Sequence, residues 1–363
     1  NSIFWLLVVA ASFFFIAATT LAQAGWPLVF RRVPEAISGS LNVLGPVTLV
    51  ILLAYVWISD DHHIYHWKDA SHLDEKLQAK SGFLNPTFYT VVSIVSVSLW
   101  IWFRNWFRKL SITEDQSVQR QTANYWRTLA VSAAFLVTYG LTVLSTLPWL
   151  WLMSIDAHWF STMYSWYTFA SSWVAGLSLM MLFVVYLKNH GYLEFVNEEH
   201  IHDIGKFMFA FSIFWTYLWF SQFMLIWYSN QPEETAYFID RLGYGGKGDG
   251  PFRAMFLLNL IINFLAPLLI LMRRGSKRSY TVVTLMSVII IFGHWLDFYQ
   301  MITPGPLKEL GKDSNPISHF VYSLGIAAGF LGLVIFLTAR YLTKASLLPK
   351  NHPLVKESII HHT

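Results

Sequence analysis

The run GHWLDFYQ at 293–300 places His294 and Asp297 three residues apart within an otherwise apolar stretch. A separation of three puts both on one face of a helix. Ionisable side chains at membrane depth are costly, so such a pair marks either a working site or a buried contact. The chemistry it offers is proton transfer, because imidazole titrates near neutral pH and a carboxylate can hold or orient the proton. A proton relay and a hydrogen-bonding site for a quinol are the functional readings. A buried pair that holds its helix to its neighbours is the structural one. Tyr299 and Gln300 continue the polar run.

A second group, Glu198, Glu199, His200, His202, Asp203 and Lys206, opens another apolar stretch. Asp203 suits a helix N-cap. The group as a whole suits a proton-gathering entrance, or simply a solvated helix start. Uncharged polar residues also fall within apolar stretches: Tyr139, Thr142 and Ser145; Ser171, Ser172 and Ser178; Tyr217, Ser221 and Gln222; Asn259 and Asn263. The two asparagines are one turn apart and could line a wire of side chains and water. The commoner use of such groups is to cement helix packing. Arg104 has the place of a snorkelling residue. His62, His63 and His66 fit one helical face, but nothing near them completes a metal site, and none is expected. For a haem, only His294 and His319 approach the membrane.

These residues must be carried by membrane helices. The chain has 363 residues, is 55% hydrophobic and only 13% charged. A soluble domain could not cover its surface with so few charges. Apolar stretches near 3–23, 40–58, 86–107, 127–152, 164–187, 205–229, 252–272, 279–302 and 317–342 are each long enough to span a bilayer. No period-two alternation suggests a barrel, so an all-α polytopic protein is expected. Pro148 and Pro267 are candidate kinks. The absence of cysteine removes thiolate-held iron–sulfur clusters and CxxCH-attached haem. The glycines around 243–250 lack phosphate-loop spacing and read as a turned surface segment.

Of 25 Lys and Arg, 17 fall on one side of the spans, with the C-terminal tail, and 8 on the other. The basic side, tail included, is expected to be cytoplasmic. Residue 1 then lies outside, and the first residue is Asn. An additional upstream helix, the tenth, is the expectation, with a cleaved signal peptide as the alternative.

Several stretches together resemble a known family: AQAGWP at 22–27, HHIYHW at 62–67, KSGFLN at 80–85, EEHIHDIGKFMFAFSIFWTYLWFSQFMLIWYSNQPEET at 198–235 and GHWLDFYQMITP at 293–304. They resemble the NrfD-like (polysulfide-reductase-type) membrane subunits, in particular the smaller such subunit of bacterial alternative complex III. The resemblance covers nearly all of residues 1–343. It implies ten spans, eight of them in two four-helix bundles. The corresponding division is a peripheral helix and loop at 1–39, bundles at 40–188 and 204–343, and a tail at 344–363.

The resemblance also implies a quinol:electron acceptor oxidoreductase complex in the bacterial inner membrane. Haem c and iron–sulfur clusters would sit in partner subunits, beside lipid and a larger paralogous NrfD-like subunit better placed for quinol oxidation. This chain would bind no redox cofactor and no nucleic acid, and would conduct protons. The alternatives are a quinol-binding catalytic subunit and a scaffold without transport.

Overall fold

Long apolar runs free of helix-breaking clusters fold as helices because lipid leaves the backbone no other partner. The structure is a computed structural model. It describes residues 1–59, 64–68, 74–116, 122–243, 250, 252–309 and 316–362. Among these, nine helices are long and apolar enough to cross a membrane: α1 Ser2–Leu21, α2 Arg32–Trp57, α3 Pro86–Gln116, α4 Ala123–Trp151, α5 Met163–Asn189, α6 Glu198–Ser229, α7 Arg253–Leu271, α8 Tyr280–Ile302 and α9 Ser318–Leu342. The described residues contain no strand. The chain is an all-α polytopic membrane protein.

The helices close into two bundles, but not where the resemblance suggested. In the first, α1 packs on α2 and α4, and α3 bridges α2 to α4. In the second, α5 packs on α6 and α8, and α7 bridges α6 to α8. The bundles meet along α1 and α5, while α9 lies outside against α1 and the start of α2. Residues 1–39 are therefore not peripheral, and the divisions 40–188 and 204–343 are each displaced by one helix. Hydropathy could not reveal this. α1 and α9 are equally apolar, yet most of α1 is buried and most of α9 is not. Lipid is as apolar as a protein core, so composition does not distinguish a central helix from a lipid-facing one.

Two helices widen by a π-helical turn just ahead of a proline, α4 at Thr142–Thr146 before Pro148 and α7 at Ile261–Leu265 before Pro267. Proline has no N–H for the carbonyl four residues back. In α4 that carbonyl, Leu144, is satisfied by Ser165 Oγ from α5 at 2.7 Å.

On the side of the C-terminal tail, α2 opens on a buried ionic cluster. Glu35 is met by Arg32 at 2.6 Å, Arg31 at 3.4 Å, Arg108 and Ser111. The tail itself is strapped down. Ser358 Oγ donates to the Trp26 carbonyl (2.7 Å) and accepts from the Val29 N–H (3.1 Å). Asn197 Nδ2 donates to the His361 carbonyl at 3.0 Å. His352 is enclosed, with its ring edge-on to Tyr125. Burial, with Arg31 close by, lowers its imidazole to about 3.

A detached tail would titrate near 6.5. Above that pH both forms are neutral. Between about 6.5 and 3 the detached form binds a proton that the docked form does not, so docking weakens as pH falls. At pH 5 the loss should be about 2 kcal/mol. A spin label at exposed Lys356 should gain mobility between pH 7.5 and 5, and His352→Gln should reduce that dependence. A label equally immobile at both pH values would refute it.

Candidate functional site

Asp297 lies on α8, fully enclosed, and takes hydrogen bonds from all three other helices of its bundle. Tyr167 Oη from α5 and Asn259 Nδ2 from α7 (2.7 Å) donate to Oδ1. Ser171 Oγ from α5 (2.8 Å) and Trp215 Nε1 from α6 (2.9 Å) donate to Oδ2. His294, one turn earlier, joins through the serine, its Nδ1 lying 3.1 Å from Ser171 Oγ. With the serine hydrogen directed at Asp297, Nδ1 must carry the imidazole hydrogen. Turning the hydroxyl reverses the sense, so that a proton on Asp297 is matched by a bare Nδ1. His294–Ser171–Asp297 is thus a hydrogen-bonded chain that can run either way. The expected pair exists, but Ser171 mediates it.

The asparagines hold the opposite side. Asn263 Nδ2 donates to Asn259 Oδ1 at 2.5 Å, which turns the Asn259 amino group towards Asp297. The wide turn of α7 carries Asn263. Gly293 makes room for it, since a Cβ there would collide with Asn263 Oδ1. Two buried acceptors, His294 Nε2 and Asn263 Oδ1, have no partner among the described residues.

Polarity around Asp297 is one-sided. Away from the tail, Tyr167 lines a cavity of about 20 Å³ with Gln222, Gln300, Tyr237 and Arg241. That volume suits one water, and the lining offers it several partners. Gln222 Oε1 and Gln300 Nε2 are buried there without partners among the described residues. Arg241, 2% exposed, closes the cavity. It donates to the carbonyls of Tyr237 (2.7 Å), Gln300 (3.1 Å) and Met301 (3.2 Å), and pairs with Asp156 at 3.6 Å. Its guanidinium sits 3.3 Å above the Tyr237 ring, and that ring also stacks with Trp159. Burial pushes the Tyr237 hydroxyl up to about 12, so it serves as a neutral hydrogen-bonding group. Beyond Tyr237 a second cavity, about 120 Å³, contains Asp156, Glu233 and Asp240.

Towards the tail the bundle core is Ile204, Met208, Val283, Met286 and Ile290. Ser178 and Ser287 there bond only to carbonyls of their own helices. The entrance group at the start of α6 is roughly 18 Å along the helix from Trp215, at 1.5 Å per residue. No polar path joins it to Asp297 among the described residues. Asp203 is not the N-cap either. Asn197 caps α6, its side chain accepting from the Glu199 and His200 N–H groups while His200 Nδ1 accepts from the Asn197 N–H. Asp203 instead pairs with Lys206 (2.5 Å) and His361 (2.7 Å), and Glu199 takes Arg278 with both oxygens. His202 Nδ1 lies 3.8 Å from Glu199.

Of the other candidates, Tyr217 is 62% exposed on the outer surface of α6, and Ser221 is half-buried without a bond to the Asp297 group. Tyr139 lies in the first bundle among Phe14, Phe135 and Trp100. Tyr299 faces away, against Trp295 and Phe320. His62 and His63 lie outside the described residues, and no cluster of three potential metal ligands occurs among the described ones. Sequence reasoning missed Tyr167, Trp215 and Arg241. Tyr167 and Ser171 stand four apart in a polar stripe of α5, which was a readable signal. Arg241 resembles any loop arginine until its burial is seen.

No family model matches the chain, and no curated protein matches it.

Proposed function

We propose that this chain is a membrane subunit of a quinol-oxidising respiratory complex of the alternative complex III type, in the bacterial inner membrane. In this reading it moves protons between Asp297 and the outer face, while partner subunits hold the haem c and iron–sulfur centres. The family resemblance of the 198–235 and 293–304 stretches supports the setting. The asymmetry around Asp297 supports the proton role. A buried carboxylate faces a water-sized cavity through Tyr167, the next cavity outward carries carboxylates, and in the opposite direction the core is mostly apolar, its buried serines 178, 212 and 287 unconnected to one another by hydrogen bonds among the described residues. The excess of basic residues on the tail side is the reason for assigning that side to the cytoplasm. A quinol at His294 and Asp297 is disfavoured because a cavity of about 20 Å³ holds a water and no ring.

In this reading Asp297 takes and releases the proton, Ser171 and His294 store or return it, and Tyr167 passes it to the cavity. Tyr167→Phe removes only the connecting hydroxyl. Assembly should be retained, and proton release per turnover should fall about tenfold, the size of effect expected for one lost hydrogen bond in the chain. Unchanged proton release in a well-assembled variant would sink the relay. One observation favours a second reading, a purely structural knot: Asp297 is bonded to each of the other three helices of its bundle.

A further inference from the structure

We infer that the small cavity where α1, the start of α2, α4 and the tail meet is a binding site for one chloride-sized inorganic anion. Its volume is about 20 Å³, and its polar walls are Thr19 and Thr20 of α1, Gln23, Arg31, Tyr125 of α4 and His352 of the tail. A space of that size holds one water-sized particle, so sulfate, phosphodiesters and organic acids are too large for it. The tail closes the cavity, held down by the bonds of Ser358 to Trp26 and Val29.

Three observations select the occupant. The first is a buried cation whose donors are unspent. Arg31 is 5% exposed, and its side chain donates no hydrogen bond to any described residue. Its Nε lies 3.4 Å from Glu35 but lacks hydrogen-bond geometry, and Glu35 is engaged instead by Arg32, Arg108 and Ser111. Nε and Nη2 are sealed inside the protein, which leaves Nη1 as the nitrogen that can reach the cavity. The second is the rest of the wall. The Thr20 and Tyr125 hydroxyls bond to no described residue. His352 Nδ1 accepts from the Leu354 N–H at 3.3 Å, so the ring hydrogen is on Nε2, a further unspent donor. No carboxylate lines the cavity among the described residues. Unspent donors around one small space, one of them a guanidinium, suit an anion. The third is charge. The ionic cluster beside the cavity sets four guanidinium groups, Arg31, Arg32, Arg104 and Arg108, against three carboxylates, Glu35, Glu114 and Asp115. One positive charge is in excess. Uncompensated charge in a buried cluster is costly, and an anion offsets it where a water does not.

This site is independent of Asp297. It is tested by thermal unfolding of the full chain, purified in mild detergent with whatever subunits accompany it, in sodium chloride, sodium bromide or sodium gluconate at equal ionic strength. Chloride and bromide should raise the apparent Tm over gluconate by about 2 °C or more, and the rise should saturate, because a ligand of the folded state stabilises it by mass action. Gluconate is too large to enter. Arg31→Gln, which removes the cation, and Thr20→Leu, which crowds the cavity and leaves every charge in place, should each abolish the difference. Equal Tm values in the three salts would mean that a water fills the cavity and would overturn the assignment. A halide effect undiminished in Thr20→Leu would place the ion elsewhere and overturn it too. If Arg31→Gln fails to assemble, Thr20→Leu decides alone.

Discussion

Asp297→Asn should reduce proton release coupled to turnover by about a hundredfold per assembled complex, the lower range for a positioned proton-transfer group. It should also lower the yield of assembled complex, because the amide cannot satisfy all its neighbours. Both carboxylate oxygens accept from donors, Tyr167 and Asn259 on one side and Ser171 and Trp215 on the other. Tyr167 and Ser171 can turn their hydroxyls. The indole N–H of Trp215 and the Asn259 amino group cannot become acceptors, since Asn259 Oδ1 is held by Asn263. Whichever way the new amide faces, one N–H meets an N–H, at about 1–3 kcal/mol.

The swap Asn259→Asp/Asp297→Asn removes that conflict. The carboxylate, now carried by α7, accepts from the new amide on α8 and from Asn263. The amide oxygen on α8 accepts from Ser171 and Trp215. The swap should restore assembly and keep a titratable carboxyl at the knot. Under the relay reading it should recover part of the proton release. If the single variant assembles poorly yet each assembled complex turns over and releases protons normally, Asp297 is a structural knot and the relay is wrong.

Glu35→Ala should be the most destabilising single change on the tail side. Glu35 is 2% exposed and is the shared anion for Arg31, Arg32 and Arg108, with Ser111 donating to its second oxygen at 2.8 Å. Asp115 takes the other arm of Arg32, and its second oxygen accepts the Lys350 N–H, tying the tail to the cluster. Removing one partner of a buried ionic group leaves uncompensated charge and costs about 3–5 kcal/mol. Here several guanidinium groups lose a common partner. The apparent Tm in detergent should fall by about 6 °C or more, and the start of α2 should become protease-sensitive. Glu35→Gln, which keeps shape and one acceptor, should cost less. A Tm within about 2 °C of the wild type, roughly the effect of 1 kcal/mol, would show that water or lipid headgroups already screen the cluster.

Within the Asp297 group, legibility followed distance along the chain. The His294/Asp297 spacing and the Asn259/Asn263 spacing are one-turn relations, and both survive in the fold. The role of Ser171 was only half visible: the sequence places it inside the membrane, but only packing of α5 on α8 sets it between a histidine and an aspartate. The entrance at His202 and Asp203 looked equally polar in sequence. It is separated from Asp297 by about three turns of mostly apolar core, a fact that belongs to four helices at once.

Sequence alone determined that this protein is all-helical, that nine segments are fit to cross a bilayer, and which side carries the basic loops. Each of these is a local property, set by runs of apolar residues and the charges flanking them. Only the tertiary structure decided that α1 is a central helix and α9 an outer one, because lipid and protein core are equally apolar. It alone decided that Arg241, from the polar segment between α6 and α7, closes the cavity beside Tyr167. Burying that arginine depends on carbonyls and a carboxylate supplied by residues 156, 237, 300 and 301, so no window of sequence contains the reason for its position.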